Sequence, residues 1–190
     1  FGETEVDDAA VAAASVVYLE GYLFDEPAAQ AAFRRAAALA HAAGRQVALT
    51  LSDSFCVDRH RAAFRALVRG HVDILFANEA ELCSLYERND LADAVADVRS
   101  EVALAAVTRS EQGSLALRGA ETAEVAAAPA RVVDTTGAGD AYAAGFLAAL
   151  TAGRGLAACA RLGSLAAAEV IGHYGARLQR DLKVEAAALA

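Results

Sequence analysis

The stretch from Val132 to Tyr142, "VVDTTGAGDAY", runs from a β-branched pair into an alanine-rich segment through two threonines, two glycines and two aspartates. Gly137 and Gly139 permit positive φ and let a ligand come close to the backbone. A helix starting at Asp140 would leave the amides of Ala138, Gly139 and Asp140 pointing outward together. That makes an anion site reinforced by the helix dipole. A carboxylate there is unusual, because an acid that only caps a helix belongs one or two positions earlier, and beside a bound phosphate Asp140 is repelled unless it takes up a proton. The residues alone leave two readings: a phosphate cradle with a base, or a glycine turn before a capped helix. No Gly-Lys-Ser/Thr follows for a Walker loop, and no full GxGxxG fingerprint is formed.

Outward from this loop, apolar runs of strand length alternate with longer Ala/Leu/Arg stretches, the pattern of a parallel sheet covered by crossover helices. Strands are expected at "SVVYLEG" (15–21), "RQVALTLS" (45–52), "VDILFAN" (72–78) and "EVALAAVT" (101–108), with helical segments starting near Glu26-Pro27, Asp58, Glu79 and Asp90. Pro27 suits a first helical turn and Gly44 a C-terminal cap, so Ser15 to Ser52 forms one βαβ unit. After Thr108, "GSLALRG" and "ETAEVAAAP" read as a hairpin or meander. Two small-residue helices follow, from Asp140 to Ala152 and from Leu156 to Ile171. On the first, Tyr142, Phe146 and Leu150 should face the core, while Gly145 admits another backbone; Cys159, Gly163 and Ala167 serve the second in the same way. "KVEAAALA" (183–190) reads as a terminal helix. No linker or repeat divides the chain, so residues 1–190 are expected to form one α/β domain.

The 190 residues are 56% hydrophobic and 22% charged, with a net charge of -8. This suits a soluble globular chain and argues against a nucleic-acid or anionic-membrane partner, which needs clustered Lys and Arg. No apolar run approaches the roughly eighteen residues that span a bilayer, and the acidic start is unlike a signal peptide; a cytoplasmic protein is expected. Cys56, Cys83 and Cys159 show no zinc-ligand spacing and read as buried thiols. His41, His60 and His71 lack an acidic partner at ligand spacing and read as surface residues. The chain opens at Phe1 and contains no Met, which points to the C-terminal part of a longer protein.

Three ordered motifs carry a family resemblance: "DTTGAGDAYAAGFL" (134–147), "NEAE" (78–81) and "VTRSEQGS" (107–114). Together they resemble the C-terminal part of the ribokinase-like (PfkB) kinases of sugars and nucleosides. "YLEGYLFD" and "VTRSEQGS" are most similar in tone to the bacterial adenosine-kinase-like branch. The resemblance implies a three-layer α/β/α sandwich with a mainly parallel sheet, lacking the family's N-terminal strands and lid. It implies transfer of the γ-phosphoryl of ATP to a hydroxyl of a sugar or nucleoside. Asp140 would be the base, and the Gly137, Ala138, Gly139 and Asp140 amides would stabilise the transferring group.

By the same resemblance, Thr108, Ser110 and Gly113 would lie along the nucleotide, with Ser110 replacing the commoner glycine, and Ser164 would meet the adenine. Asn78 and Glu81, at i and i+3, would hold Mg²⁺ through water; read by themselves they equally form a capping box. Asp134 and Thr136, with backbone oxygens near Val170, His173 and Gly175, would bind a monovalent cation such as K⁺. Glu20, at a strand's C-terminal edge where α/β ligands gather, would contact the acceptor.

With the acceptor pocket largely absent, the 190 residues alone should phosphorylate poorly. An uncovered sheet edge would favour self-association, a homodimer included. The rivals are a non-catalytic nucleotide-binding module derived from a kinase and a Rossmann-type oxidoreductase; the late position of the glycine loop disfavours the second.

Overall fold

The computed structural model describes residues 1–189, and in it the alternation of the sequence becomes six strands hydrogen-bonded in chain order, β1 to β6, with flanking helices. The chain groups into two compact units, Phe1–Ala105 and Ala106–Ala190.

In the first unit, α1 (Asp8–Ala13) precedes β1 (Val16–Glu20), α2 (Pro27–Ala42), β2 (Gln46–Thr50), α3 (Ser54–His71), β3 (Ile74–Asn78), α4 (Glu79–Tyr86) and α5 (Leu91–Glu101). Strand β4 (Leu104–Thr108) crosses the boundary between the units. β1, β2 and β3 pair in parallel, Val16 opposite Gln46 and Ala48 opposite Ile74. Val47, Ala48 and Leu49 are fully buried, as both faces of a covered parallel strand must be. Helix α2 begins at Pro27 and buries Ala29, Ala32, Phe33, Ala36, Ala37 and Ala40, one apolar stripe at helical spacing. Phe24 stacks on Phe64 with ring centroids 4.1 Å apart.

In the second unit, β5 (Ser114–Arg118) and β6 (Glu121–Val125) form the expected antiparallel hairpin, Ser114 opposite Val125. Helices α6 (Ala138–Thr151) and α7 (Leu156–Val170) then pack at backbone distance. A Cβ on Gly145 would lie 2.6 Å from the Leu162 carbonyl oxygen, and one on Gly163 would lie 2.8 Å from that of Tyr142. Tyr142 and Phe146 are buried, whereas Leu150 is half-buried. The terminal helix is α8 (Lys183–Ala188); Ala190, the last residue of the expected segment, lies outside the described residues.

Two helix starts differ from expectation. Helix α3 opens at Ser54 instead of Asp58, because Asp53 caps it through the Cys56 amide at 2.7 Å; non-helical backbone at His60 kinks it farther on. Helix α6 opens at Ala138 instead of Asp140, because Gly137 takes the left-handed conformation at its N-cap. Short α1, ahead of the first strand, was not expected either. No helix among the described residues is long and apolar enough to cross a membrane.

Candidate active site

The start of α6 determines the chemistry of the glycine loop. Gly137 has φ +80, and a Cβ there would lie 2.5 Å from the Ala176 Cβ, so only glycine fits. Starting the helix at Ala138 makes Asp140 its third residue. The Ala138 amide is spent on the Thr135 carbonyl at 3.2 Å, which corrects the expectation that three amides face outward together. The amides of Gly139 and Asp140 find no acceptor among the described residues, as befits a first helical turn. The Asp140 side chain is exposed and, among the described residues, caps nothing and joins no ion pair. Two free amides and an uncommitted carboxylate therefore share one helix start, with open space over Gly139.

The segment leading into this loop is held by the chain that follows α7. Val133 and Asp134 donate their amides to the Ile171 carbonyl at 2.8 and 3.4 Å. The Asp134 carboxylate accepts from the Thr136 amide at 3.0 Å and its hydroxyl at 2.8 Å. These bonds, with one from the Gly175 amide, hold the Asp134 carboxyl below its ordinary range. Of the residues considered for a monovalent cation, Asp134, Thr136 and Gly175 are thus brought together, and Val170 is buried nearby in the chain. The His173 ring is turned toward Glu169, 3.4 Å away, and is half-buried.

The loop after β4 keeps a glycine-like shape without the glycine. Ser110 has φ +50, the left-handed conformation that costs a side chain about 1–2 kcal/mol. Gly113 closes the loop, its carbonyl accepting from the Arg109 amide at 2.7 Å. Arg109 reaches back to the Gln112 carbonyl at 3.2 Å and to Glu124 at 2.5 Å, while its buried Nε has no partner among the described residues. Thr108 is half-buried at the end of β4. Ser164 accepts from the Ala128 amide at 2.9 Å and donates to the Ala126 carbonyl at 3.4 Å. Its hydroxyl ties down the segment after β6 instead of bonding within its own helix.

In the first unit, polar groups gather at the C-terminal ends of β1, β2 and β3. Glu20 accepts from the Ser52 hydroxyl and, at 3.4 Å, from the Tyr22 amide. Gly21 permits this approach, since a Cβ there would meet the Thr50 carbonyl oxygen at 2.6 Å. Asn78 and Glu81 form the complete capping box: Glu81 accepts from the Asn78 amide at 2.8 Å and from its side chain at 2.6 Å, and the Glu81 amide returns a bond to Asn78 Oδ1 at 2.8 Å. Only 5% of Glu81 is exposed. Desolvation, with the nearby Asp53 and Glu20 charges, pushes its carboxyl up to about 7.

Asp53, Ser52 and Tyr22 were absent from the sequence-based candidates. The signal was available in "TLSDS", polar residues directly after a parallel strand, where α/β sheets place ligands. Among the described residues no group of three or more His, Cys, Asp or Glu side chains is arranged to hold a metal directly. Hard oxygens beside mutually repelling carboxylates still suit a hydrated divalent ion, which would relieve that repulsion. Partners for two histidines also emerge from distant sequence: His41 meets Asp73 at 2.9 Å and His60 meets Asp25 at 2.8 Å. Cys56 and Cys159 are buried as expected; Cys83 is half-buried.

The Glu81 environment has a measurable consequence. Between its ordinary value of 4.5 and about 7, the folded chain holds a proton that the unfolded chain has released. Stability contributed by the neutral acid is complete below pH 4.5 and is lost as pH rises through about 7. Denaturant unfolding in metal-free buffer is expected to show a fall of about 3 kcal/mol across that window, absent in Glu81→Gln. Equal pH slopes in the two proteins would show that Glu81 titrates normally.

The description "pfkB family carbohydrate kinase" matches residues 2–182. The chain belongs to the pfkB family. Among solved structures, the adenosine kinase from Sinorhizobium meliloti is 50% identical with a TM-score of 0.95. The probable sugar kinase protein from Rhizobium etli is 46% identical with a TM-score of 0.96. Each alignment covers 100% of this chain and 59% of the other. The cytidine kinase of Thermococcus kodakarensis is 38% identical over 120 residues, 62% of this chain and 43% of that kinase. The chain therefore spans somewhat over half the length of these two solved kinases, and under half of the cytidine kinase is matched.

Proposed function

We propose that this chain carries the nucleotide and base half of an ATP-dependent phosphotransferase acting on a hydroxyl of a nucleoside or sugar. The observation that supports it best is the exposed, unpartnered Asp140 carboxylate on the same first helical turn as the free Gly139 and Asp140 amides. The acceptor hydroxyl gives its proton to Asp140 while its oxygen bonds to the γ-phosphorus, and the bond from that phosphorus to the leaving ADP oxygen breaks. The two amides hydrogen-bond the charge on the transferring group, a task of positioning and electrostatics. Thr108, Ser110 and Gly113 line the nucleotide, and Ser164 borders the adenine through the segment that it fastens. Glu20, with Ser52 behind it, faces the acceptor.

Asn78 and Glu81 would hold Mg²⁺ through water, which supplies charge neutralisation at the phosphates. Asp134, Thr136 and carbonyls near Val170, His173 and Gly175 would hold a monovalent cation such as K⁺. A cytoplasmic location suits this chemistry.

The test is phosphoryl transfer from labelled ATP, with Mg²⁺, to a panel of nucleosides and hexoses. The natural full-length polypeptide is expected to phosphorylate one of these classes, and the 190-residue chain to bind ATP yet turn over poorly. ATP binding with no transfer to any acceptor would favour a non-catalytic nucleotide-binding module. Strong turnover by the 190 residues alone would refute the incomplete acceptor pocket.

A further inference from the structure

Glu169 lies in the last turn of α7, outside the catalytic and ligand-binding residues above, and only 11% of its side chain is exposed. One of its oxygens, Oε1, accepts the backbone amides of both Gln179 and Arg180 at 3.1 Å. The other, Oε2, faces His173 Nε2 at 3.4 Å. A carboxylate so placed gathers two charge-assisted bonds from a segment with little regular structure of its own, since residues 171–182 form turns and bends between α7 and α8. No salt bridge other than the His173 contact is recorded for it among the described residues. Its bonds go to the strap.

That strap is what the glycine loop rests on. Ala176 fills the space beside Gly137 that any Cβ would need, so the strap packs directly on the residue that starts α6. The Ile171 carbonyl, where the strap begins, holds the Val133 and Asp134 amides. The strap is thus pinned at one end by α7 and at the other by Glu169, with Ala176 between them and pressed on the loop. Released at the Glu169 end, Ala176 can withdraw, and the first turn of α6, with the Gly139 and Asp140 amides and the Asp140 carboxylate, loses its fixed direction.

We propose that Glu169 is a positioning residue for phosphoryl transfer: through its two backbone bonds it holds the 172–181 strap against Gly137 and so aims the Asp140 carboxylate and the adjacent amides. The inference rests on the phosphotransferase reading above. Its effect falls on the chemical step, because misdirecting a base by about an ångström costs rate far more than it costs ground-state nucleotide binding, to which the Thr108–Gly113 loop contributes separately.

The experiment compares Glu169→Ala and Glu169→Gln with the unmodified full-length polypeptide. The alanine variant removes both acceptors; the glutamine variant keeps an oxygen able to serve Gln179 and Arg180. Glu169→Ala is expected to lower kcat about tenfold while KM for ATP moves less than about threefold, and Glu169→Gln to restore kcat to within about threefold. Unchanged kcat in Glu169→Ala, a loss carried by KM alone, or a glutamine variant as impaired as the alanine one would overturn the proposal.

Amide hydrogen exchange makes the outcome independent of activity. In Glu169→Ala, the Gln179, Arg180, Val133 and Asp134 amides should exchange at least about tenfold faster together, with the middle of α6 unchanged. If the unmodified protein transfers no phosphoryl group, the function reading fails while this coupled exchange still judges Glu169. Exchange confined to Gln179 and Arg180 would overturn the link to the loop. Should Glu169→Ala not fold, Glu169→Asp, which withdraws the carboxylate by one methylene, is expected to shift kcat and exchange in the same direction; no shift in either would overturn the proposal.

Discussion

Asp140→Asn is expected to lower kcat for phosphoryl transfer by about a thousandfold in the full-length polypeptide, with the dissociation constant for ATP held within about threefold. The substitution preserves size and removes only the capacity to take a proton. Little in the fold depends on the charge, for Asp140 is exposed, caps no helix and has no ion-pair partner among the described residues. A negative charge in the first turn of α6 contributes about 0.3–1 kcal/mol through the helix dipole, so the variant should remain folded. Loss of that charge also removes repulsion from the nucleotide phosphates, and ATP binding should hold or tighten slightly. Single-turnover kinetics with calorimetric titration of ATP separate the two effects. A variant that keeps more than about a tenth of the turnover would remove Asp140 from the role of base.

Gly113→Ala is expected to destabilise the chain by about 3–5 kcal/mol, a large share of an ordinary folding free energy. Two independent costs combine there. The backbone has φ +86 and ψ -132, a region that side chains other than glycine avoid. An added Cβ would also lie 2.0 Å from the Val125 carbonyl oxygen and 2.8 Å from the Ala126 carbonyl carbon. These are backbone atoms at the end of β6, and they cannot retreat without opening the Ser114–Val125 pairing. Gly119, also at positive φ but with open space around the site of its Cβ, is the control, and alanine there should cost only about 1 kcal/mol. Denaturant midpoints measure both, and a Gly113→Ala loss under about 1 kcal/mol would show that β6 yields to the methyl.

Sequence and structure agree most closely where the deciding interactions are local. The Pro27 start of α2, the hairpin after Gly113 and the "NEAE" box all depend on residues within one turn or one strand pair, so their patterns were visible directly. The start of α6 was misplaced by two residues for the opposite reason. Gly137 could adopt several conformations, the one it takes is left-handed, and Ala176, far along the chain, leaves no room there for a side chain. Likewise nothing in the sequence showed that Ser110, standing where the family more commonly has glycine, takes positive φ in a loop closed by the Arg109 amide and the Gly113 carbonyl. Glu20 was singled out by the family resemblance, at a strand edge, but its companions Ser52, Asp53 and Tyr22 came into view only with the sheet assembled. The Ser52 hydroxyl is 32 residues from Glu20 in the chain.

By itself the sequence determined the α/β alternation, the helix starts at Pro27 and Asn78 and the three ordered motifs of the pfkB family, because periodicity and short-range hydrogen bonding are properties of neighbouring residues. Tertiary structure alone decided which of those motifs' groups remain free to act. It spent the Ser164 hydroxyl on a distant segment, left Asp140 exposed, buried Glu81 so that its carboxyl is pushed up to about 7, and brought Glu169 to the Gln179 and Arg180 amides. Burial and long-range pairing set desolvation and hydrogen-bond supply, and both arise only when segments distant in sequence are packed together.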